Sequence, residues 1–217
     1  METNRECIYE SKSTKTEYFE IMGTPYIRKK IFGPFSERLC SHEVNVLNRL
    51  KGVSRVQQIV EQASPNTFIS EYIPGESLLN SRNLAQNYFN ELEKILGSIH
   101  SHNIADIDFA HSTDLLVDPE GRPAVIDLAS SIIYDKQKPS SFLVKPIFDY
   151  ICSLNYKYLI NRKARFQPEQ MTKEEWKASP DIGTLAKLWR PLKKYLRKNK
   201  EKTSKLINPI NSSIKYI

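Results

Sequence analysis

Short β-like runs of apolar residues, separated by turn residues, recur over the first third of the chain. Two such runs in residues 18–32 flank a Gly-Thr-Pro turn at residues 23–25, a pattern typical of a hairpin. Two more runs in residues 53–73 flank a Ser-Pro-Asn turn. The polar residues 1–16 are expected to be flexible. The pattern therefore predicts two pairs of strands after a flexible N-terminus.

Apolar residues at helical spacing predict one helix between these strand pairs and further helices after them. The first helix is expected over residues 36–50, with Ser36 as its N-cap and Gly52 ending it. The second is expected over residues 84–100, where one face is apolar. After Ser130 the chain is expected to be mainly helical.

The predicted helices after Ser130 comprise an aromatic and aliphatic segment and a shorter one. Residues 142–166 form the first, and Pro168 breaks it. A capping-box pattern from Thr172 to Glu175 begins the second. The order of elements is therefore a β-rich N-terminal part with one helix, followed by a mainly helical C-terminal part, which is an α+β arrangement.

Acidic residues lie where the chain enters or leaves two short apolar runs in residues 99–130. Asp108 and Asp127 are nineteen positions apart, Asp114 lies between them, and residues 119–122 (PEGR) form a turn between the runs. Hard cations prefer carboxylate oxygens held on a rigid support. This pattern favours a magnesium-phosphate site, and the chain is therefore a candidate phosphotransferase.

Composition indicates a globular protein without a disulfide framework or zinc site. The 217 residues, 40% of them apolar, suffice for one domain, or one domain of two lobes. The three cysteines and three clustered histidines do not have metal-ligand spacing, so a reducing compartment and structural histidines are expected. The residues concerned are Cys7, Cys40, Cys152, His100, His102 and His111.

No long apolar run and no secretory leader is visible, so a cytoplasmic location is expected, with export as an effector without a Sec signal left open. The net charge of +7 is concentrated near the C-terminus. Residues 187–205 contain nine Lys or Arg and one acid, so the remainder of the chain is nearly neutral. An amphipathic helix on its own domain is the expected structure, with an acidic partner or membrane surface as alternatives. Nucleic acid is not an expected partner, because aromatic residues are few there.

The order of these features resembles the protein-kinase fold, particularly the small divergent bacterial kinases of the RIO-like, lipopolysaccharide-kinase-like and minimal effector types. The resemblance implies that Lys29, in the sequence YIRK, holds nucleotide phosphates and pairs with Glu43 on the first helix. Lys29 is preferred to Lys30 because it shares a strand face with Ile27. The segment EYIPGESL at residues 71–78 resembles the hinge that binds adenine, with Glu71 and Ile73 as binding residues.

The same resemblance assigns roles to the acidic residues. Asp108 is expected to accept the proton of the substrate hydroxyl, and Asp114 and Asp127 to bind Mg²⁺. Asp106 and Ile107 replace the histidine and arginine that precede the catalytic aspartate in the family, which suggests constitutive activity or another form of control. No GxGxxG loop precedes Lys29, so a different phosphate cover, or none, is expected.

These features predict an ATP- and Mg²⁺-dependent phosphotransferase with a minimal bilobal kinase-like fold. An atypical serine/threonine protein kinase with an unidentified protein substrate is the first choice. A small-molecule or glycan kinase of the lipopolysaccharide-core type is one alternative, and a pseudokinase that acts as a binding module is another. The predicted divisions are a flexible N-terminus (1–16), an N-terminal lobe (17–74), a C-terminal lobe (75–184) and a basic helix or tail (185–217).

Overall fold

The computed structural model describes residues 2–109, 113–139 and 141–179, with side chains from residue 5 onward. The predictions for His111 and for the basic tail at residues 185–217 lie outside the described residues. Contacts within the chain divide it into two compact units, residues 1–159 and residues 160–217. The predicted division at residue 75 falls inside the first unit and stays a prediction.

The first unit begins with a five-stranded antiparallel sheet in the order β1-β2-β3-β5-β4. Alternating apolar residues place one face of this sheet against a helix, as expected for an antiparallel sheet with one covered face. The strands are β1 (Glu2–Glu10), β2 (Thr14–Ile21), β3 (Thr24–Ile31), β4 (Ile59–Ser64) and β5 (Thr67–Glu71).

Both predicted hairpins are present, but the prediction of a flexible N-terminus differs from the structure. Met22 and Gly23 turn the chain between β2 and β3 with φ values of 51° and 78°, the conformation of a tight hairpin turn. Residues 2–10 form β1, paired with β2. The polar composition was misleading because β1 is an edge strand with mostly exposed side chains, whose hydrogen bonds come from pairing with β2.

Helix α1 (Ser36–Arg49) packs on the covered face of the sheet, close to the predicted bounds. Its apolar side chains form a buried cluster with two strand residues; the members are Ile31, Cys40, Val44, Leu47 and Phe68. The N-cap is Phe35 rather than Ser36, which is the first helical residue, and no side chain caps this end. Gly52 follows the helix at a φ of 82°, where a residue without Cβ is favoured.

The remainder of the first unit combines short strands with two helices. Burial of every residue in three of the strands indicates that packing rather than local propensity stabilises them. One sheet has the order β6-β8-β9, and β7 pairs with β10. The elements are β6 (Glu76–Ser77), α2 (Tyr88–Ser101), β7 (Ile104–Asp106), β8 (Leu115–Val117), β9 (Pro123–Val125), β10 (Ser131–Ile133) and α3 (Ser141–Phe166).

Two boundaries in this region differ from the prediction. Helix α2 begins at Tyr88 rather than near residue 84, since Ala85 donates a backbone hydrogen bond to Gly121 in the turn between β8 and β9. The chain after Ser130, which was expected to be mainly helical, first forms the strand β10. Three residues carry too little periodicity to predict a strand, and β10 is defined by its pairing with β7.

The described part of the second unit contains the end of α3, a 3₁₀ helix at Pro168–Gln170, and α4 (Lys173–Ala178). The predicted capping box is present, because Thr172 and Glu175 each accept a hydrogen bond from the backbone N–H of the other. Lys163 Nζ donates to Glu175 Oε1 at 2.7 Å. Among the described residues, no helix is both long and apolar enough to span a membrane.

Candidate nucleotide and metal site

Lys29 lies between two carboxylates from distant parts of the chain. Its Nζ donates to Glu43 Oε1 on α1 and to Asp127 Oδ1 after β9, both at 2.8 Å. Strand alternation explains the first contact, because Lys29 points to the same face of β3 as Ile27 and Ile31, the face that α1 covers. The adjacent Lys30 is exposed and lies over the Phe32 ring instead.

Burial and charge oppose each other at this cluster. Burial acts to lower the pKa of Lys29, but Glu43 and Asp127 outweigh it and raise that pKa, so the ammonium stays protonated. Burial raises the pKa of Glu43, whose side chain is 1% exposed, and the Lys29 charge acts against this rise. Glu43 Oε2 is buried and makes no hydrogen bond with a described residue.

Asp127 is held at the start of the loop after β9 in an uncommon backbone conformation. Its φ of 54° is in the left-handed region, which Asp tolerates better than most residues. Its backbone N lies 3.5 Å from Gln57 Oε1, and Gln57 Nε2 donates to the buried Ser70 hydroxyl at 2.8 Å. The side chain is 49% exposed. Asp127 therefore contacts Lys29 while keeping one carboxylate oxygen free of any described hydrogen bond.

Asp114 precedes β8 and is next to Asp127 because of β8–β9 pairing. The Ile126 N–H donates to the Asp114 carbonyl at 3.0 Å, and Thr113 Oγ1 donates to Asp114 Oδ1 at 3.0 Å. Burial, followed by the negative charge of Asp127, raises the pKa of Asp114 to about 6. The two carboxylates therefore repel each other, and a cation between them would relieve that repulsion.

Asp108 is fixed by contacts on both sides. Ser130 Oγ donates to Asp108 Oδ2 at 2.9 Å, and the Asp108 N–H donates to Asp106 Oδ1 at 3.2 Å. Asp106 is 4% exposed, and burial raises its pKa to about 7. Its carbonyl accepts from Asn155 Nδ2 on α3 at 2.7 Å. Asp106 is thus a buried acid whose side chain contacts the backbone of Asp108.

The predicted hinge leaves the sheet at the end of β5. The Glu71 N–H donates to the Gln58 carbonyl at 2.9 Å, and the Tyr72 ring packs edge-on against Tyr18 with centroids 5.1 Å apart. Ile73 is half-buried in the following segment. At Gly75 a Cβ would lie 2.7 Å from the Val117 carbonyl oxygen, so the chain passes β8 at a distance that only glycine permits.

A serine-rich turn between β1 and β2 was missed by sequence reasoning. The Ser11 N–H donates to the Thr14 carbonyl at 2.8 Å, and Ser11 Oγ accepts from the Thr14 N–H at 3.0 Å. Thr16 on β2 is directly opposite Lys29 on β3. The turn between β1 and β2, which contains no glycine, therefore lies beside the part of β3 that carries Lys29. Its Ser and Thr residues are the sequence features that could have indicated a turn.

Three other contributors carry no recognisable pattern. Each contacts an acidic residue that lies far away in the chain: Gln57 contacts Asp127, Ser130 contacts Asp108, and Asn155 contacts Asp106. Two of the three histidines that were expected to be structural lie within the described residues: His100 Nε2 is 3.1 Å from Asn155 Oδ1, and His102 Nδ1 is 2.8 Å from the Ser98 carbonyl oxygen. Within the described ranges, no group of three or more His, Cys, Asp and Glu side chains is close enough to hold a metal ion alone.

The arrangement of strands and helices in this chain is similar to that of solved protein structures. The chain is similar to the Rio2 kinase of Chaetomium thermophilum in its ADP/Mg²⁺-phosphoaspartate complex, with a TM-score of 0.56 and 13% sequence identity. The match covers 94% of this chain and 70% of that one. This chain has a protein-kinase-like fold. The predicted α+β class, with a β-sheet N-terminal region and a helical C-terminal part, is therefore confirmed.

The same similarity, at 13% identity, concerns the fold alone. No family model matches the sequence, and no curated protein sequence matches it. The kinase-like assignment of the chain thus depends on the three-dimensional arrangement of its strands and helices.

Proposed function

We propose that this protein is an ATP-dependent phosphotransferase, an atypical serine/threonine protein kinase that transfers the γ-phosphoryl group to a hydroxyl. The observation that carries the proposal is the contact of Lys29 with both Glu43 and Asp127 at 2.8 Å. A buried carboxylate positions a permanently charged ammonium beside a second, half-exposed carboxylate. Lys29 is thereby available to phosphate oxygens, and Asp127 to a metal ion.

The residues fit Mg²⁺ bound together with nucleotide phosphates. Mg²⁺ in proteins is commonly held by one or two carboxylates plus substrate phosphates. Asp114 and Asp127 supply two carboxylates, and the negative charge of Asp127 adds to the effect of burial in raising the pKa of Asp114. When bound, Mg²⁺ would neutralise charge on the phosphates.

The protein's own contribution to transfer is positioning and charge compensation. Lys29 would hold phosphate oxygens, with Glu43 fixing its direction. Asp108, oriented by Ser130 and by the Asp106 carboxylate, would accept a hydrogen bond from the acceptor hydroxyl and take its proton. The backbone near Glu71 and Ile73 would bind the adenine edge.

Transfer of labelled phosphate from ATP to a cell lysate tests this proposal. Wild-type protein should label a substrate in the presence of Mg²⁺, and Asp127→Ala should reduce labelling at least about 100-fold. Asp149→Ala is the matched control, because Asp149 is an exposed aspartate on α3 that binds Lys145. Equal labelling by wild type and Asp127→Ala would contradict the proposal.

A second candidate is a small-molecule or glycan kinase. It is favoured by the short connection between Asp127 and α3, whose described residues, 128–139, include the three-residue β10. A segment of this length offers little surface for docking an extended peptide. Transfer of labelled phosphate from ATP to sugars or lipid-linked glycans, but not to the lysate, would support this candidate. Stabilisation of the protein by ATP-Mg²⁺ without any transfer would support a pseudokinase.

A further inference from the structure

His42, the residue before Glu43 on α1, contacts a strand from a distant part of the chain. Its Nε2 lies 2.8 Å from the backbone carbonyl oxygen of Ser131 in β10. A carbonyl oxygen only accepts hydrogen bonds, so Nε2 carries the hydrogen and donates it. The ring is half-buried, which limits competition from water.

Ser131 belongs to the segment that joins the two halves of the candidate site. It pairs with Asp106 in the β7–β10 ladder, two residues before Asp108. Its N–H donates to the Leu128 carbonyl at 3.1 Å, which closes the turn directly after Asp127. A donor bound to the Ser131 carbonyl is therefore tied to the segments that carry Asp108 and Asp127.

Helix α1 is thus connected to the acidic residues in two ways. Glu43 reaches Asp127 through Lys29, and His42 reaches the segment after Asp127 directly. The apolar side of α1 is packed against the sheet through Cys40, Val44 and Leu47, and the polar contacts of His42 and Glu43 add to this packing. Consecutive helix residues point about 100° apart, so the two contacts restrain rotation from different directions.

We propose that His42 is a positioning residue that holds α1 against β10 and so keeps Glu43 paired with Lys29. This inference concerns the proposed phosphotransferase site and rests on that function for its kinetic consequences. Its structural consequence, a fixed α1, does not depend on the reaction.

Two substitutions of His42 and one control test the proposal. His42→Ala removes the donor, whereas His42→Gln places an amide N–H at a similar distance from the backbone. His102→Ala is the control, because His102 is an exposed histidine whose ring binds the carbonyl of Ser98 in its own helix. Amide hydrogen exchange is measured on the full chain without nucleotide, over residues 36–49 and 128–134.

In His42→Ala the amide hydrogens of both segments should exchange about five- to tenfold faster than in wild type, whereas those of the sheet should exchange at the wild-type rate. His42→Gln should restore most of the protection. The KM for ATP should rise about tenfold in His42→Ala, because Lys29 is no longer held in place, whereas a loss of folded protein would lower kcat and leave KM unchanged. Wild-type exchange in His42→Ala, or no recovery with Gln, would overturn the inference. If wild-type protein transfers no phosphate, the proposed function fails, and hydrogen exchange alone decides the role of His42.

Discussion

Lys29 and Asp127 are 98 positions apart in the chain, yet Lys29 Nζ and Asp127 Oδ1 are 2.8 Å apart. The first belongs to a central strand of the N-terminal sheet, and the second to a turn after β9. The backbone of the loop before β4 helps to fix this distance: the Val125 N–H donates to the Arg55 carbonyl at 2.9 Å, and the Gln57 N–H to the Val125 carbonyl at 3.1 Å. These two hydrogen bonds thus join the loop before β4 to the end of β9, two residues before Asp127.

The Lys29–Glu43 pair has a predictable effect on stability. Lys29→Met should destabilise the fold by about 3 kcal/mol, because it leaves the buried Glu43 carboxylate without its partner. The double variant Lys29→Met, Glu43→Leu should recover much of this loss, since it removes both charges. Urea unfolding at pH 7 measures both values.

Lys30→Met is the matched control for this measurement, because Lys30 is the exposed neighbour on the same strand. Its effect should stay within about 0.5 kcal/mol. A double variant that is less stable than Lys29→Met alone would contradict the account of Glu43 as an uncompensated buried charge.

Asp106 predicts a dependence of stability on pH. Burial raises its pKa to about 7 in the folded state, above the ordinary value of 3.8. The folded state therefore binds a proton more tightly than the unfolded state, and the resulting stabilisation is complete below about pH 4 and is lost as the pH rises through 7. Asp106→Asn should remove this contribution, so the urea midpoint of the variant should fall less between pH 5 and pH 8.

The control for Asp106→Asn is Asp149→Asn, which changes an exposed carboxylate on α3. This variant should keep the wild-type difference between pH 5 and pH 8. The same difference in Asp106→Asn and in wild type would show that Asp106 is not the titrating group.

Asp118 is expected to contribute strongly to the stability of the fold. Burial opposes its ionisation, but hydrogen bonds from the Arg122 backbone and from the Arg55 and Arg122 side chains lower its pKa to about 2. This stabilisation is present above about pH 4 and is lost as the pH falls through 2. Asp118→Ala should cost about 3 kcal/mol at pH 7, measured by urea unfolding, because it also leaves the turn N–H of Arg122 without its acceptor.

The exposed Glu120 provides a comparison at the same turn. Its Oε2 accepts a hydrogen bond from Arg122 Nη2 at 2.6 Å. Glu120→Ala should change the free energy of unfolding by less than about 1 kcal/mol. Similar losses in the two alanine variants would indicate that the turn, rather than the buried carboxylate, carries the stabilisation.

Gly75 should not tolerate a side chain. A Cβ at this position would lie 2.7 Å from the Val117 carbonyl oxygen, and the backbone φ of 156° disfavours other residues. Gly75→Ala should therefore cost about 1–3 kcal/mol in thermal or urea unfolding. Because Gly75→Ala displaces the predicted hinge, it should also weaken the ATP binding that we propose for this protein.

Gly97→Ala is the opposite case and serves as its control. Gly97 is in α2, and its added Cβ would meet the Tyr156 hydroxyl at an ordinary 3.6 Å. The helix should gain up to about 1 kcal/mol. A loss at Gly97 as large as that at Gly75 would show that close approach to β8 is not the cause.

The elements that sequence patterns predicted well are those whose pattern is local. The β2–β3 hairpin, α1, α3 and the α4 capping box follow from turn residues, helical spacing and cap residues, and each lies within a few residues of its expected place. The strands β1 and β10 were missed because one is polar and the other only three residues long. Both depend on a partner strand for their hydrogen bonds.

The sequence by itself determined an α+β order of elements and the acidic residues at the ends of short apolar runs, because apolar periodicity and acidic spacing are local properties of the chain. Only the tertiary structure decided which side chains meet: Lys29 with both Glu43 and Asp127, Asp108 with Ser130, and His42 with the Ser131 carbonyl. These contacts join residues up to 98 positions apart, and their distances depend on strand pairing and helix packing. No local pattern encodes such a distance.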